Sequence, residues 1–146
     1  MKIQSPDLTK ESPRSPRNTD IAGHVVAARC LDKCRADIGG TIGEYHSGCP
    51  LDDIWLDFIG ISYDEFRSFV ETKPSDEEVS SWVLDHGTKH SRAEIIQWNN
   101  DLRYKRINEM PMELQEFLEG YIPEFIPKDR IVNYWFDVYD IEEKRI

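Results

Sequence analysis

An all-α fold is predicted by three observations. Three Ser-x-x-Glu boxes, Ser62 to Glu65, Ser75 to Glu78 and Ser91 to Glu94, each precede an apolar series. Apolar residues recur at helical spacing along most of the chain, and Gly or Pro punctuates the ends of those series. We expect a single compact domain over residues 1–146, with about six or seven helices and a glycine-containing loop after the first. Residues 1–19 should form an extended N-terminal arm packed on it.

Taken in order, Asp20 is a good N-cap residue, and Ile21, Val25, Ala28, Leu31 and Ile38 keep largely to one helical face before Gly39-Gly40. The first helix is therefore expected over about 21–37. TIGEYHSGCP (41–50) lacks any period and reads as a loop. Pro50 suits the first position of a second helix, where a missing N–H is harmless. Leu51, Ile54, Trp55, Phe58 and Ile59 follow at i, i+3, i+4, i+7 and i+8, and Gly60 ends the series. The three boxes start helices carrying Phe66, Phe69 and Val70, then Val79, Trp82 and Val83, then Ile95, Trp98 and Leu102. Their spacings of 13 and 16 residues are too irregular for a repeat array. Pro111 and Pro127 are first-turn residues for two last helices, with Leu114, Phe117 and Leu118 on one and Ile131, Tyr134, Trp135 and Val138 on the other. YIPEFIP (121–127) between them reads as an extended linker.

Composition narrows the class. A chain of 146 residues can bury a core without metals or disulfides. Three cysteines, Cys30, Cys34 and Cys49, do not make a secreted disulfide framework and are expected as free thiols. No run of about 18 apolar residues exists, and the N-terminal segment has no apolar core of a signal peptide, so the expected compartment is the cytoplasm, with no membrane partner. The net charge of −10 disfavours nucleic acid, whose binding depends on Lys and Arg displacing counterions. Residues 1–49 hold seven basic against six acidic side chains, and the remainder eleven against twenty-two, so a small anion meets least opposition in the early part.

Short motifs occur in a fixed order along the chain: DLT at 7–9, PRSPR at 13–17, LDKCR at 31–35, GEYH at 43–46, CPLD at 49–52 and WFD at 135–137. With these the chain resembles an uncharacterised bacterial domain-of-unknown-function family, DUF 5069, over nearly its whole length. The resemblance implies no activity and no cofactor.

The residues themselves point to a polar segment, roughly Arg14 to Asp53. Cys49 stands at the N-terminus of the second helix, where unpaired N–H groups and the macrodipole favour a nucleophilic thiolate. His46 lies three residues upstream as a base or cationic partner, and Tyr45 offers a hydroxyl. Arg14, Arg17, Lys33 and Arg35 would clamp a carboxylate or phosphate, while Glu44 and Asp52 supply acid–base or orienting carboxylates. Each also has a structural alternative. Cys49 would be a packing residue, His46 a loop histidine, Lys33 and Arg35 helix C-terminal charges, Arg14 and Arg17 arm pins, and Asp52 a first-turn acid.

Cys30, Cys34, His46 and Cys49 make a legitimate zinc set by type, but not by the spacing of a ribbon or knuckle, and no metal or cofactor is expected. His24 has no obvious partner, and His86 and His90 read as parts of a solvated connection. Gly-rich phosphate loop, HExxH, nucleophile-elbow and EF-hand patterns do not occur. Two functions fit: a small anionic ligand held in a polar pocket with Cys49/His46 chemistry, or a non-catalytic interaction or structural domain. The oligomeric state and enzyme status stay open.

Overall fold

In the computed structural model, residues 5–146 are described; residues 1–4, the beginning of the expected arm, lie outside the described residues. The helices are α1 (Ala27–Gly39), α2 (Pro50–Ile59), α3 (Tyr63–Val70), α4 (Asp76–His86), α5 (Arg92–Arg103), α6 (Met112–Phe125) and α7 (Trp135–Glu142). A 3-10 turn covers Ile107–Glu109, and the sole β feature among the described residues is an isolated antiparallel bridge between Arg106 and Tyr134. The fold is thus all-α. The chain divides into two compact units, one up to Ile95 and the other Ile96–Ile146.

In the first unit, α1 is the central element and packs on α2 and α3. It begins six residues later than the sequence suggests. Ala22, Gly23 and Val26 have φ of 56°, 76° and 72°, which no right-handed helix accommodates. Their segment is held instead by long-range bonds: the Ala22 N–H donates to Ser80 Oγ (3.0 Å) and the Val26 N–H to the Pro16 carbonyl (2.8 Å). Asp20 therefore caps no helix, and accepts from Asn18 Nδ2 at 3.1 Å. Packing wins here over local capping, because Ile21, Val25 and Val26 are wholly buried. At the other end Gly40 adopts φ 76°, and the N–H of Thr41 reaches back to the Ala36 carbonyl at 2.8 Å.

Helix α2 starts and stops where its sequence signals stand: Cys49 is the N-cap, Pro50 the first helical residue, and Gly60 (φ 68°) the C-cap. Leu51, Trp55, Leu56 and Ile59 are buried, and the Trp55 ring meets Phe66 edge-on at 5.2 Å. All three Ser-x-x-Glu signals begin helices. Ser62, Ser75 and Ser91 each accept the backbone N–H three residues on at 3.1 Å. Glu78 and Glu94 reach back to the N–H of Ser75 (3.0 Å) and Ser91 (2.8 Å).

The second unit departs from expectation at two places. Tyr121–Phe125 is not a linker but the last turns of α6, with Pro123 inside the helix. Near the C-terminal end the proline ring removes one bond, to the Glu119 carbonyl. Tyr121 gains ring contacts with Phe117 (5.4 Å) and Phe125 (4.4 Å) and a hydrogen bond from its hydroxyl to Glu142. Nor does Pro127 open a helix: α7 starts at Trp135. The N–H of Ile107 donates to the Asn133 carbonyl (2.8 Å) and that of Trp135 to the Lys105 carbonyl (2.9 Å), which holds the chain extended up to Tyr134. Ile131, expected on the apolar face of the last helix, is 85% exposed.

Candidate functional site

Burial of α1 decides where its polar side chains must find partners. Lys33 lies on this helix with only 3% of its surface exposed, and an ammonium at such a position has to be paired. Its partners come from the N-terminus of α2. Lys33 Nζ lies 3.0 Å from Asp52 Oδ1 and donates to Cys49 Sγ at 3.1 Å. Asp52 is fully buried, and its second oxygen accepts the Gly48 N–H at 3.0 Å, tying the third residue of α2 back over the loop before it. Burial pulls the Lys33 pKa down, but Asp52 and Cys49 more than offset it and hold the ammonium above its usual range. Lys33 is therefore a fixed positive charge, neutralised on one side and facing sulfur on the other.

Cys49 is half-buried, whereas Cys30 and Cys34 on α1 are buried. Burial pushes the Cys30 thiol well up, reinforced by Asp52, and pushes the Cys34 thiol up to about 12, against the opposing pull of Arg67 and Tyr63. Those two are packing thiols. Among the described residues no group of three His, Cys, Asp or Glu side chains is placed to hold a metal ion.

The basic residues expected to join Cys49 form a different cluster. Arg14 grips Asp32 through Nε (3.0 Å) and a terminal nitrogen (3.0 Å), while its own N–H donates to Asp32 Oδ2 at 2.9 Å. Arg14 also reaches Asp76 Oδ2 (2.9 Å), whose other oxygen accepts from Arg35 (2.8 Å); Arg35 further donates to the Pro74 carbonyl at 2.8 Å. Asp76 loses solvation by partial burial, yet the two guanidinium groups hold its carboxyl below the ordinary value. Arg29 donates to the Arg14 carbonyl at 3.2 Å and stands 5.6 Å from the centre of the Tyr45 ring, whose hydroxyl donates to Ser12 Oγ (3.2 Å). Arg17 is partly buried on the arm, its N–H on Ser15 Oγ at 3.1 Å. Arg14, Arg35, Asp32 and Asp76 thus fasten the arm to α1 and the start of α4. Of the other expected residues, Glu44 and His46 are exposed on the loop, and the donor to the Cys49 sulfur is Lys33.

At the loop residues before Cys49 the fold brings up side chains that sequence spacing did not suggest. Ser47 Oγ and Tyr63 Oη are 2.6 Å apart, Arg67 donates to Tyr63 Oη at 3.4 Å and pairs with Asp37, and the Tyr63 ring covers Gly48. Gly48 has φ 77°, and a Cβ there would lie 3.6 Å from that ring. No linear signal marks Tyr63: it follows a helix cap and looks like any first-turn residue.

The cluster around Cys49 is therefore Lys33 of α1 with Cys49 and Asp52 at the start of α2, and in the loop just before it Ser47 meets Tyr63 of α3. Among curated proteins no match to the chain is found. The family model described as Domain of unknown function (DUF5069) matches residues 10–145, nearly all of the sequence, and the chain belongs to that family.

Proposed function

We propose that Cys49 is the reactive centre of a small-molecule site in the first unit, with Lys33 as its cationic partner and Asp52 as the carboxylate that orients Lys33. The observation that carries this reading is the bond from a buried ammonium to a half-buried sulfur, 3.1 Å long. A charge-assisted donor of this kind favours the anionic, nucleophilic form of a thiol, as does a position at the N-terminus of a helix. The Cys49 sulfur, its proton given up to solvent, bonds to an electrophilic carbon of the substrate while that carbon's bond to its leaving group breaks and the leaving group departs with the electron pair; Lys33, already held by Asp52, keeps its proton throughout.

An arginine clamp for an anionic ligand is less favoured than this thiol reading, because Arg14 and Arg35 direct their donors to Asp32, Asp76 and the Pro74 carbonyl. We infer a cytosolic setting, where a thiol stays reduced.

The test is the rate of iodoacetamide alkylation of each cysteine in the native protein, followed by mass spectrometry at pH 6.5. Cys49 is expected to react roughly tenfold faster than a free cysteine peptide, with Cys30 and Cys34 protected, and the excess is expected to vanish in Lys33→Gln. A Cys49 that reacts no faster than the peptide overturns the proposal, and the packing role of the thiol takes its place.

A further inference from the structure

The second unit carries a groove of about 360 Å³ that the chemistry at Cys49 does not use. Its floor is apolar, made by Ile107, Leu118, Ile122 and Val132, and its rim carries Glu116 and Glu119. We propose that this groove is a docking site for a basic amphipathic segment of another protein, whose apolar face fills the groove and whose Lys or Arg side chains meet the glutamates.

Charge complementarity selects that occupant. From Met112 to Phe125 the helix holds Glu113, Glu116, Glu119 and Glu124 and no basic residue, and among the described residues no Lys or Arg lines the groove. An acidic partner would be repelled there, and a neutral one would leave the glutamates facing apolar surface.

One feature of α6 points the same way. Pro123, which lines the groove, lacks an N–H, so the Glu119 carbonyl beside the acidic rim loses its helical donor four residues on. The exposed side chain of Met112 (64%) stands at the end of the groove as an adaptable apolar contact.

The experiment uses the whole chain and two fluorescein-labelled synthetic amphipathic helices, one of Leu and Lys and one of Leu and Glu, with binding read by fluorescence anisotropy. The Leu/Lys helix is expected to bind and the Leu/Glu helix not, with affinity for the former weakening at 0.5 M salt. The double variant E116K/E119K is expected to lose roughly tenfold or more in affinity, while charge reversal on α4, E77K/D85K, leaves binding within about twofold. Equal binding of the two helices, or equal loss in the α4 and α6 variants, overturns the proposal.

Discussion

Lys33 on α1 and Cys49 at the N-cap of α2 are sixteen residues apart in sequence and 3.1 Å apart in space, joined by a hydrogen bond from ammonium to sulfur. The same ammonium is 3.0 Å from the buried Asp52 carboxylate, so one charge supports the α1–α2 contact and, in the function proposed above, the reactivity of the thiol. These two roles separate under mutation. Lys33→Met leaves Asp52 buried without its counter-charge and is expected to cost about 3–5 kcal/mol. The double variant Lys33→Met/Asp52→Leu removes both charges and is expected to recover most of that loss while leaving Cys49 slow to alkylate. Urea unfolding and alkylation kinetics measured on the same samples check both outcomes.

Arg14 holds the arm through Asp32 and Asp76. Arg14→Gln is expected to destabilise the protein by roughly 1–3 kcal/mol and to expose the peptide bonds of residues 5–20 to protease. The Asp76 carboxyl is held below its ordinary value of 3.8. Its contribution to stability is therefore complete above that value and is lost as the pH falls below it. The variant should show a shallower loss of stability over that acid range, and an unchanged acid slope would refute the assignment.

His24 gives a pH dependence of its own. Its Nδ1 accepts from Trp55 Nε1 at 3.2 Å, and it meets Phe58 edge-on, 5.4 Å between ring centres. Burial, helped by the nearby His90, lowers its pKa to about 4. The unfolded chain takes up this proton near 6.5 and the folded one only near 4, so stability is greatest above 6.5 and declines as the pH falls between those values. The loss is on the order of 3 kcal/mol. His24→Gln should flatten this part of the stability profile in urea titrations at several pH values.

Two glycines should respond to alanine with opposite sign. Gly60 has φ 68°, and its added Cβ would press on Thr88 Oγ1, so Gly60→Ala is expected to lower stability by about 1–2 kcal/mol. Gly120 lies in α6 with open space around it, so Gly120→Ala is expected to raise stability by about 0.5–1 kcal/mol. Thermal unfolding of the two variants settles the signs.

Local chemistry was sufficient for most helix starts. Ser62, Ser75 and Ser91 are followed by the N–H groups they cap, and Pro50 and Gly60 bracket α2, because these signals act within four residues and need no distant partner. The same locality explains the failures. Asp20 offers a cap, but Val26 is committed to Pro16 and Ala22 to Ser80, contacts that lie outside any helical window. Pro123 reads as a breaker, yet the ring contacts of Tyr121 and its bond to Glu142, twenty-one residues on, carry the helix past it.

The amino-acid sequence by itself determined the all-α class, most of the helix boundaries, the family and the presence of Cys49 at a helix N-terminus beside a glycine-containing loop. Tertiary structure alone decided which of the polar residues meet. It joined Lys33 to both Cys49 and Asp52, turned Arg14 and Arg35 toward Asp32 and Asp76, left Glu44 and His46 at the surface, and brought Ser47 and Tyr63 together. The reason is physical: helix periodicity and caps are set by neighbours in the chain, whereas charge pairing is set by burial. Only a folded core excludes water strongly enough to force Lys33 onto the carboxylate and the sulfur nearest it.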